Sequence, residues 1–268
     1  MRKKPSTRRA PRLGQHFLTG QWAARALVKS ISVRGDETIL EIGPGRGALT
    51  KELLATGARV VAVEKDDTLI KQLKPTFARE IDEKKLTLVA DDIRNITPQK
   101  LELKKYVLAA NIPYYLTGEI IRSFLTADPQ PRALALLVQK EVAARIVTRD
   151  GKESVLSLSV KAYGTPQVVA SVSRGNFSPP PSVDSAILLI DNVSRDFFSD
   201  VDEDAFFKVV RMGFASKRKL LSGNLARVVS KSVTLEALAH CGIPEDARAE
   251  DVLLEKWKRL TQQLSASS

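Results

Sequence analysis

The sequence predicts an α/β fold, a mostly parallel sheet built from βαβ units and followed by a small all-helical domain. Three observations carry this. Five short apolar runs recur over the first half of the 268-residue chain, separated by stretches with helical spacing. The first of these runs ends in three glycines at alternate positions, Gly43, Gly45 and Gly47, that turn the chain into a helical pattern. Strand-like patterning stops near Asp191, and residues 200–268 read as helices alone.

The elements follow in order. Residues 1–13 form a basic arm: the stretch to Gly14 has six basic residues, no acid and no apolar segment after it, so it reads as disordered rather than as a secretory signal. A helix is expected over 21–30, with Trp22, Ala26 and Leu27 at helical spacing. Strands are expected at Thr38–Ile42, Val60–Glu64, Leu86–Ala90, 106–110 and 133–138, with helices at Ala48–Leu54 and 68–77. A helix at 154–163 precedes two β runs, 168–172 and 186–190. The proline-stiffened connection between them, Pro179-Pro180-Pro181, suggests an antiparallel pair at the sheet edge. The tail is read as helices at 203–214, 217–230, 234–241 and 249–264.

Composition narrows the function. Lys+Arg 42 against Asp+Glu 31 gives a net charge of +11, which points to an anionic partner, usually nucleic acid. The charge clusters: between Ala205 and Lys231 lie Lys208, Arg211, Lys217, Arg218, Lys219, Arg227 and Lys231 with no acid, whereas a solvated helix face mixes signs. Lys208, Arg211, Lys217, Arg218 and Lys219 are therefore candidate phosphate contacts. A lone cysteine, Cys241, excludes a disulfide within the chain and favours a reducing, cytoplasmic setting. With only His16 and His240 beside it, no metal site is expected. No apolar run reaches membrane-spanning length.

The glycine loop sits at the carboxyl end of a strand, where open α/β sheets bind ligands. Its spacing is not the dinucleotide fingerprint, and it lacks the Gly-Lys-Ser/Thr ending of a phosphate cradle. Glu41, inside the strand end, would repel a pyrophosphate. A ligand with positive charge and no phosphate fits better, and S-adenosylmethionine is one. Glu64, 17 residues after Gly47, stands where a carboxylate accepts both ribose hydroxyls. Gly43, Glu64, Asp92 and Asn111 converge on the same rim.

Asn111-Ile112-Pro113-Tyr114, at another strand end, suits chemistry on an adenine amine. That nitrogen is a poor nucleophile because its lone pair is delocalised into the ring. The Asn111 side-chain oxygen and the Ile112 carbonyl are two acceptors for its two hydrogens, leaving the lone pair free to aim at a methyl group. Pro113 fixes the backbone that carries that carbonyl. Tyr114 offers a ring for the base, and Phe177 is a candidate second wall. Stacking of this kind is worth roughly 1–3 kcal/mol, comparable to the few kcal/mol needed to unstack a base.

Taken together, these pieces resemble the ribosomal RNA adenine N6-dimethyltransferases, in particular the small-subunit, kasugamycin-sensitivity (16S rRNA) branch. The resemblance runs from Gly14 over nearly the whole chain. It rests on Gly14-Gln15-His16-Phe17-Leu18, Glu41-Ile42-Gly43-Pro44-Gly45-Arg46-Gly47, Glu64, Asp92, Asn111-Ile112-Pro113-Tyr114, Gln139-Lys140-Glu141-Val142, Phe177-Ser178-Pro179-Pro180-Pro181-Ser182-Val183-Asp184-Ser185 and the tail segment from Phe214 to Leu225. It implies a Rossmann-like class I methyltransferase sheet over 14–192 and a helical RNA-binding domain over 200–268. It implies S-adenosylmethionine as donor and two adjacent adenosines near the 3′ end of small-subunit rRNA as acceptors, each methylated twice. His16 and Leu18 would lie at the cofactor's methionine side, Gly43 and Gly45 in the loop beneath it, Glu64 at its ribose and Asp92 at its adenine amine, with Asp91 a rival for that contact, and Asn111 would also touch the cofactor. Asn111, Ile112, Pro113, Tyr114 and Phe177 would form the catalytic set. The implied partner is the immature small subunit, and a monomer is expected. Two departures stand out: Ser182 where the family usually has lysine, and Ser222-Gly223 in place of a more basic pair. The sister branch that methylates large-subunit rRNA, an assembly factor that has kept the fold without the activity, and a DNA adenine methyltransferase are the competing readings.

Overall fold

A computed structural model describes residues 16–148 and 151–266; the basic arm 1–13 lies outside the described residues. A central seven-stranded sheet comprises β2 (Thr38–Ile42), β3 (Val60–Glu64), β4 (Leu86–Ala90), β5 (Tyr106–Asn111), β6 (Leu134–Gln139), β7 (Thr165–Val172) and β9 (Ser185–Asp191). The strand order is β4-β3-β2-β5-β6-β9-β7. The first five are parallel; β9 runs antiparallel to both β6 and β7. The expected antiparallel edge pair is therefore present, with β7 at the outer edge. A separate two-stranded ribbon pairs β1 (Phe17–Leu18) with β8 (Phe177–Ser178), Leu18 opposite Phe177. Strands of two residues have no periodicity, so the sequence gives no sign of this ribbon.

Side chains alternate along a strand, so each central strand feeds two cores. Leu40, Ile42, Val61, Val63, Leu108 and Leu136 face one layer, with α5 (Thr117–Leu125), α6 (Lys140–Ile146) and α7 (Val155–Tyr163). Ile39, Val60, Ala62, Val107 and Leu137 face the other, with α1 (Gln21–Ile31), α2 (Ala48–Leu54) and α3 (Asp67–Thr76), which the short α4 (Ala78–Asp82) follows. Double-sided burial is why these strands read as continuous apolar runs. α5 and α6 are additions to the elements expected from sequence; Ile120, Ile121, Phe124 and Leu125 all point inward from α5.

The tail holds α8 (Glu203–Gly213), α9 (Leu221–Leu225), α10 (Lys231–His240) and α11 (Leu254–Ala266). The expected helix over 217–230 is corrected: only Leu221–Leu225 is helical there. Asn224 explains the break. Its buried amide donates to the carbonyls of Gly213 and Ser216, at 2.6 and 3.0 Å, and so satisfies the end of α8 and folds 214–220 into a turn. Asp202 caps the start of α8 by accepting from the Ala205 N–H, a contact worth about 1 kcal/mol.

The core of the helical tail is completed by the sheet domain. Leu158 and Ala162 of α7 belong to the same apolar cluster as Phe206, Val210, Leu221, Trp257 and Leu260, while Val160 and Tyr163 on the opposite side of α7 face the sheet core. The Tyr163 hydroxyl donates to Glu203 at 2.5 Å, and the Glu153 N–H donates to the Glu250 carbonyl.

Candidate active site

In an open sheet whose strand order reverses, the crevice at the reversal is the binding site. Here the chain winds outward from β2 through β3 to β4 and then returns to β5 on the other side, so the reversal lies between β2 and β5. Ile42 is opposite Ala110 across that pair, which sets Gly43 beside Asn111. The cavity above them is lined by His16, Phe17, Leu18, the loop from Gly43 to Arg46, Glu64, Lys65, Asp91, Asp92, Arg94 and the run from Asn111 to Leu116. Residues almost a hundred positions apart thus share one rim.

The glycines do different things. Gly43 and Gly45 both have positive φ, +67° and +58°, which favours glycine. A Cβ on Gly43 would meet nothing nearer than the Asn111 carbonyl at 3.9 Å, so its face is open for a ligand to approach closely. A Cβ on Gly45 would collide with the Phe17 ring at 2.9 Å. That ring carries the Arg46 guanidinium 4.6 Å above its centroid.

Glu64 ends β3 and is buried, yet its oxygens are met by backbone donors: Gly45 N–H at 3.1 Å and Asp66 N–H at 3.0 Å. Burial raises its pKa, and these donors oppose the rise. Asp92 is held by the Arg94 side chain at 2.6 Å and Lys65 at 2.8 Å, and it caps the short turn Ile93–Asn95 through the Arg94 N–H. These cations keep its carboxyl well below the usual range. Asp91 faces the same cavity, but its Oδ1 accepts from the Asp92 N–H and from Asn95.

Asn111 ends β5. Its Nδ2 donates to the His16 carbonyl at 2.9 Å, which turns Oδ1 to the other side as an acceptor. The His16 ring is fixed in turn: Nδ1 donates to the Pro179 carbonyl at 2.8 Å, and the ring stacks on Tyr114 with centroids 6.0 Å apart. The Tyr114 hydroxyl is 2.7 Å from buried Ser185, and burial raises its pKa. The β1–β8 ribbon thereby ties the chain's beginning to the proline-rich connection and holds both over the Asn111 turn.

Two expectations are corrected. Phe177 does not line the cavity; it is 4% exposed and packed in the apolar cluster with Leu18, Val172 and Ile187, so in this conformation it is no second wall. Glu41 is fully buried and does not line the cavity either. Burial pushes its pKa up to about 8, so it is mostly neutral at pH 7 and repels no phosphate. The Thr50 hydroxyl beside it opposes that rise, but neither group makes a hydrogen bond of full geometry. Lys65, Arg94 and Tyr115 line the cavity and Ser185 anchors Tyr114, roles that sequence reasoning missed; Lys65 and Tyr115 adjoin Glu64 and Tyr114, and Ser185 ends the proline-rich segment that begins at Phe177.

The basic residues of the tail lie elsewhere. Lys208 and Arg211 are exposed three positions apart on α8, and Lys217, Arg218 and Lys219 are exposed on the turn after it. None of the five forms an ion pair among the described residues.

Comparison with known proteins returns a consistent set. The family model described as "Ribosomal RNA adenine dimethylase" matches residues 7–265. "Ribosomal RNA small subunit methyltransferase A" of Dehalococcoides mccartyi (strain CBDB1) is 40% identical over 252 residues, covering 92% of this chain and 86% of that protein. The protein of the same name from Moorella thermoacetica is 35% identical, covering 94% and 91%. Among solved structures, the 23S rRNA methyltransferase ErmE superposes with a TM-score of 0.76 at 26% identity over 93% of this chain and 99% of that one. A dimethyladenosine transferase from Plasmodium falciparum shares the fold, with a TM-score of 0.80 at 24% identity over 94% and 98%.

Proposed function

The chain belongs to the ribosomal RNA adenine dimethylase family, and from that premise we propose how its cavity dimethylates N6 of two adjacent adenosines near the 3′ end of small-subunit rRNA. It is an rRNA adenine dimethyltransferase of the small-subunit type. The observation that carries the mechanism is the orientation of Asn111: with Nδ2 engaged by the His16 carbonyl, Oδ1 remains to accept from the target amine.

S-adenosylmethionine, when bound, supplies an activated methyl group on a sulfonium. The residues present fit it: the open face of Gly43 admits close approach, Glu64 and Asp92 are acceptors for hydroxyls and an amine, and His16 and Leu18 line the same cavity. Glu64 receives the ribose because its carboxylate is presented by two backbone N–H groups. Asp92 reaches the adenine amine by sharing oxygens now held by Lys65 and Arg94.

Asn111 Oδ1 and the Ile112 carbonyl take the two hydrogens of the target amine. The nitrogen pyramidalises and its lone pair turns toward the methyl. Pro113 keeps the carbonyl's direction, and Tyr114, anchored through Ser185, forms the wall on which the extruded base stacks. Catalysis is positioning and electrostatic stabilisation, for which effective molarities are large. The tail's unpaired cations are assigned to RNA phosphates. The large-subunit reading loses ground because the relatives named for the small subunit reach 40% identity, against 26% for the 23S enzyme.

Labelled methyl transfer from S-adenosylmethionine to unmethylated small subunits, free small-subunit rRNA and large-subunit rRNA tests this. Label in small-subunit N6,N6-dimethyladenosine is the expected result. Label only in large-subunit RNA, or none with cofactor bound, overturns it.

A further inference from the structure

We propose that Tyr115 is a second stacking platform, which holds the base neighbouring the target adenosine at the mouth of the cavity. The inference rests on the adenine-methyltransferase reading above. Tyr115 is 69% exposed, and of the large apolar side chains exposed in the described residues it alone lines this cavity. Its neighbour Tyr114 is fastened on both sides, by Ser185 and by the His16 ring. Tyr115 has neither kind of anchor: among the described residues its hydroxyl makes no hydrogen bond and its ring stacks on no other.

Both tyrosines sit on one short 3-10 turn, Tyr114–Leu116, directly after the Asn111 turn. Consecutive side chains on such a turn diverge, so one ring points in and the next points out. Consecutive bases of a single strand behave alike when one is extruded into a pocket: its neighbour is left at the entrance, having lost a stacking partner. An exposed ring beside the pocket replaces that partner. The charge around the ring suits the phosphate that joins the two nucleotides. Arg46, Lys65 and Arg94 line the same rim as Tyr115. A protein that binds only a small-molecule acceptor has no use for an unpartnered aromatic at its mouth, whereas one that acts on the first and then the second of two adjacent bases needs the idle base held.

The test uses the full chain, unmethylated small subunits, and a small-subunit RNA fragment carrying 2-aminopurine at the position adjoining one target adenosine. Tyr115→Phe and Tyr115→Ala are compared with the unmodified chain. Tyr115→Ala is expected to raise KM for RNA about tenfold, within the range of base–aromatic stacking, to leave kcat within about twofold and to leave S-adenosylhomocysteine affinity unchanged. It is also expected to abolish quenching of the 2-aminopurine, and Tyr115→Phe is expected to retain both properties. Unchanged KM and quenching in Tyr115→Ala overturn the proposal. So does loss in Tyr115→Phe equal to that in Tyr115→Ala, which would assign the contact to the hydroxyl. Failure of the unmodified chain to methylate small subunits would instead overturn the functional reading, an outcome distinct from either of these.

Discussion

A single amide decides whether the cavity can handle an exocyclic amine. Asn111→Ala removes Oδ1 and leaves Gly43, Glu64 and Asp92 in place, so methyl transfer is expected to be lost while cofactor affinity changes by less than about threefold. Calorimetric titration with S-adenosylhomocysteine beside the transfer assay checks this, and loss of cofactor binding would remove Asn111 from its catalytic role. Glu41 is the other decisive residue, for stability. Its pKa rises from an ordinary 4.5 to about 8 on folding, so the native state holds a proton that the unfolded chain releases. Stability is therefore fully present below about pH 4.5 and falls as pH rises towards 8, with a slope of at most about 1.4 kcal/mol per pH unit. Glu41→Gln keeps the shape and removes the titration. Its denaturant midpoint is expected to match that of the unmodified chain near pH 5 and to exceed it near pH 9; equal midpoints at both would show that Glu41 ionises freely.

Among the elements, the turn between α8 and α9 matters most. Buried Asn224 holds it by two hydrogen bonds to carbonyls, and replacing such a group leaves acceptors unsatisfied at about 1–3 kcal/mol. Asn224→Ala is expected to lower stability by that amount in urea unfolding and to weaken RNA binding through the turn it supports. The turn carries Lys217, Arg218 and Lys219, exposed and without ion pairs among the described residues. Changing all three to glutamine is expected to weaken RNA binding and to flatten its salt dependence, by about 0.9 in log–log slope for each phosphate no longer neutralised if the duplex value holds. An unchanged slope would make the cluster an ordinary solvated surface. Both features depend on a break that helical periodicity hid: 217–230 has few strong breakers, and the carbonyls that Asn224 satisfies lie before it in the chain.

At the scale of the molecule, α7 welds the helical tail to the sheet. Leu158 and Ala162 fill the tail's core while Val160 and Tyr163 fill the sheet's. The chain is therefore expected to unfold in one calorimetric transition. Removing residues 203–266 is expected to yield a dye-binding, poorly packed remainder rather than a folded catalytic domain. Two transitions, or a well-folded truncated protein, would show independent units. The welding also bears on function, since a tail rigidly joined to the sheet holds its cations at a set distance from Asn111.

The sheet was legible in the sequence because strands buried on both faces must be apolar throughout, and the glycine loop and the Asn111 turn because their backbone and chemical demands are local. Those demands mark Gly43, Glu64, Asp92, Asn111 and Tyr114 as rim residues from the sequence alone. Tertiary structure decided the rest. It paired Phe17–Leu18 with Phe177–Ser178 across the chain, so that His16 orients Asn111 and Phe177 is drawn into the core. It buried Glu41 and so reversed the charge argument built on it. A sequence records which residues prefer apolar surroundings or a particular backbone angle. Which side of a wall a side chain ends on, and whether a carboxyl keeps its charge there, depends on neighbours that only the folded chain brings together.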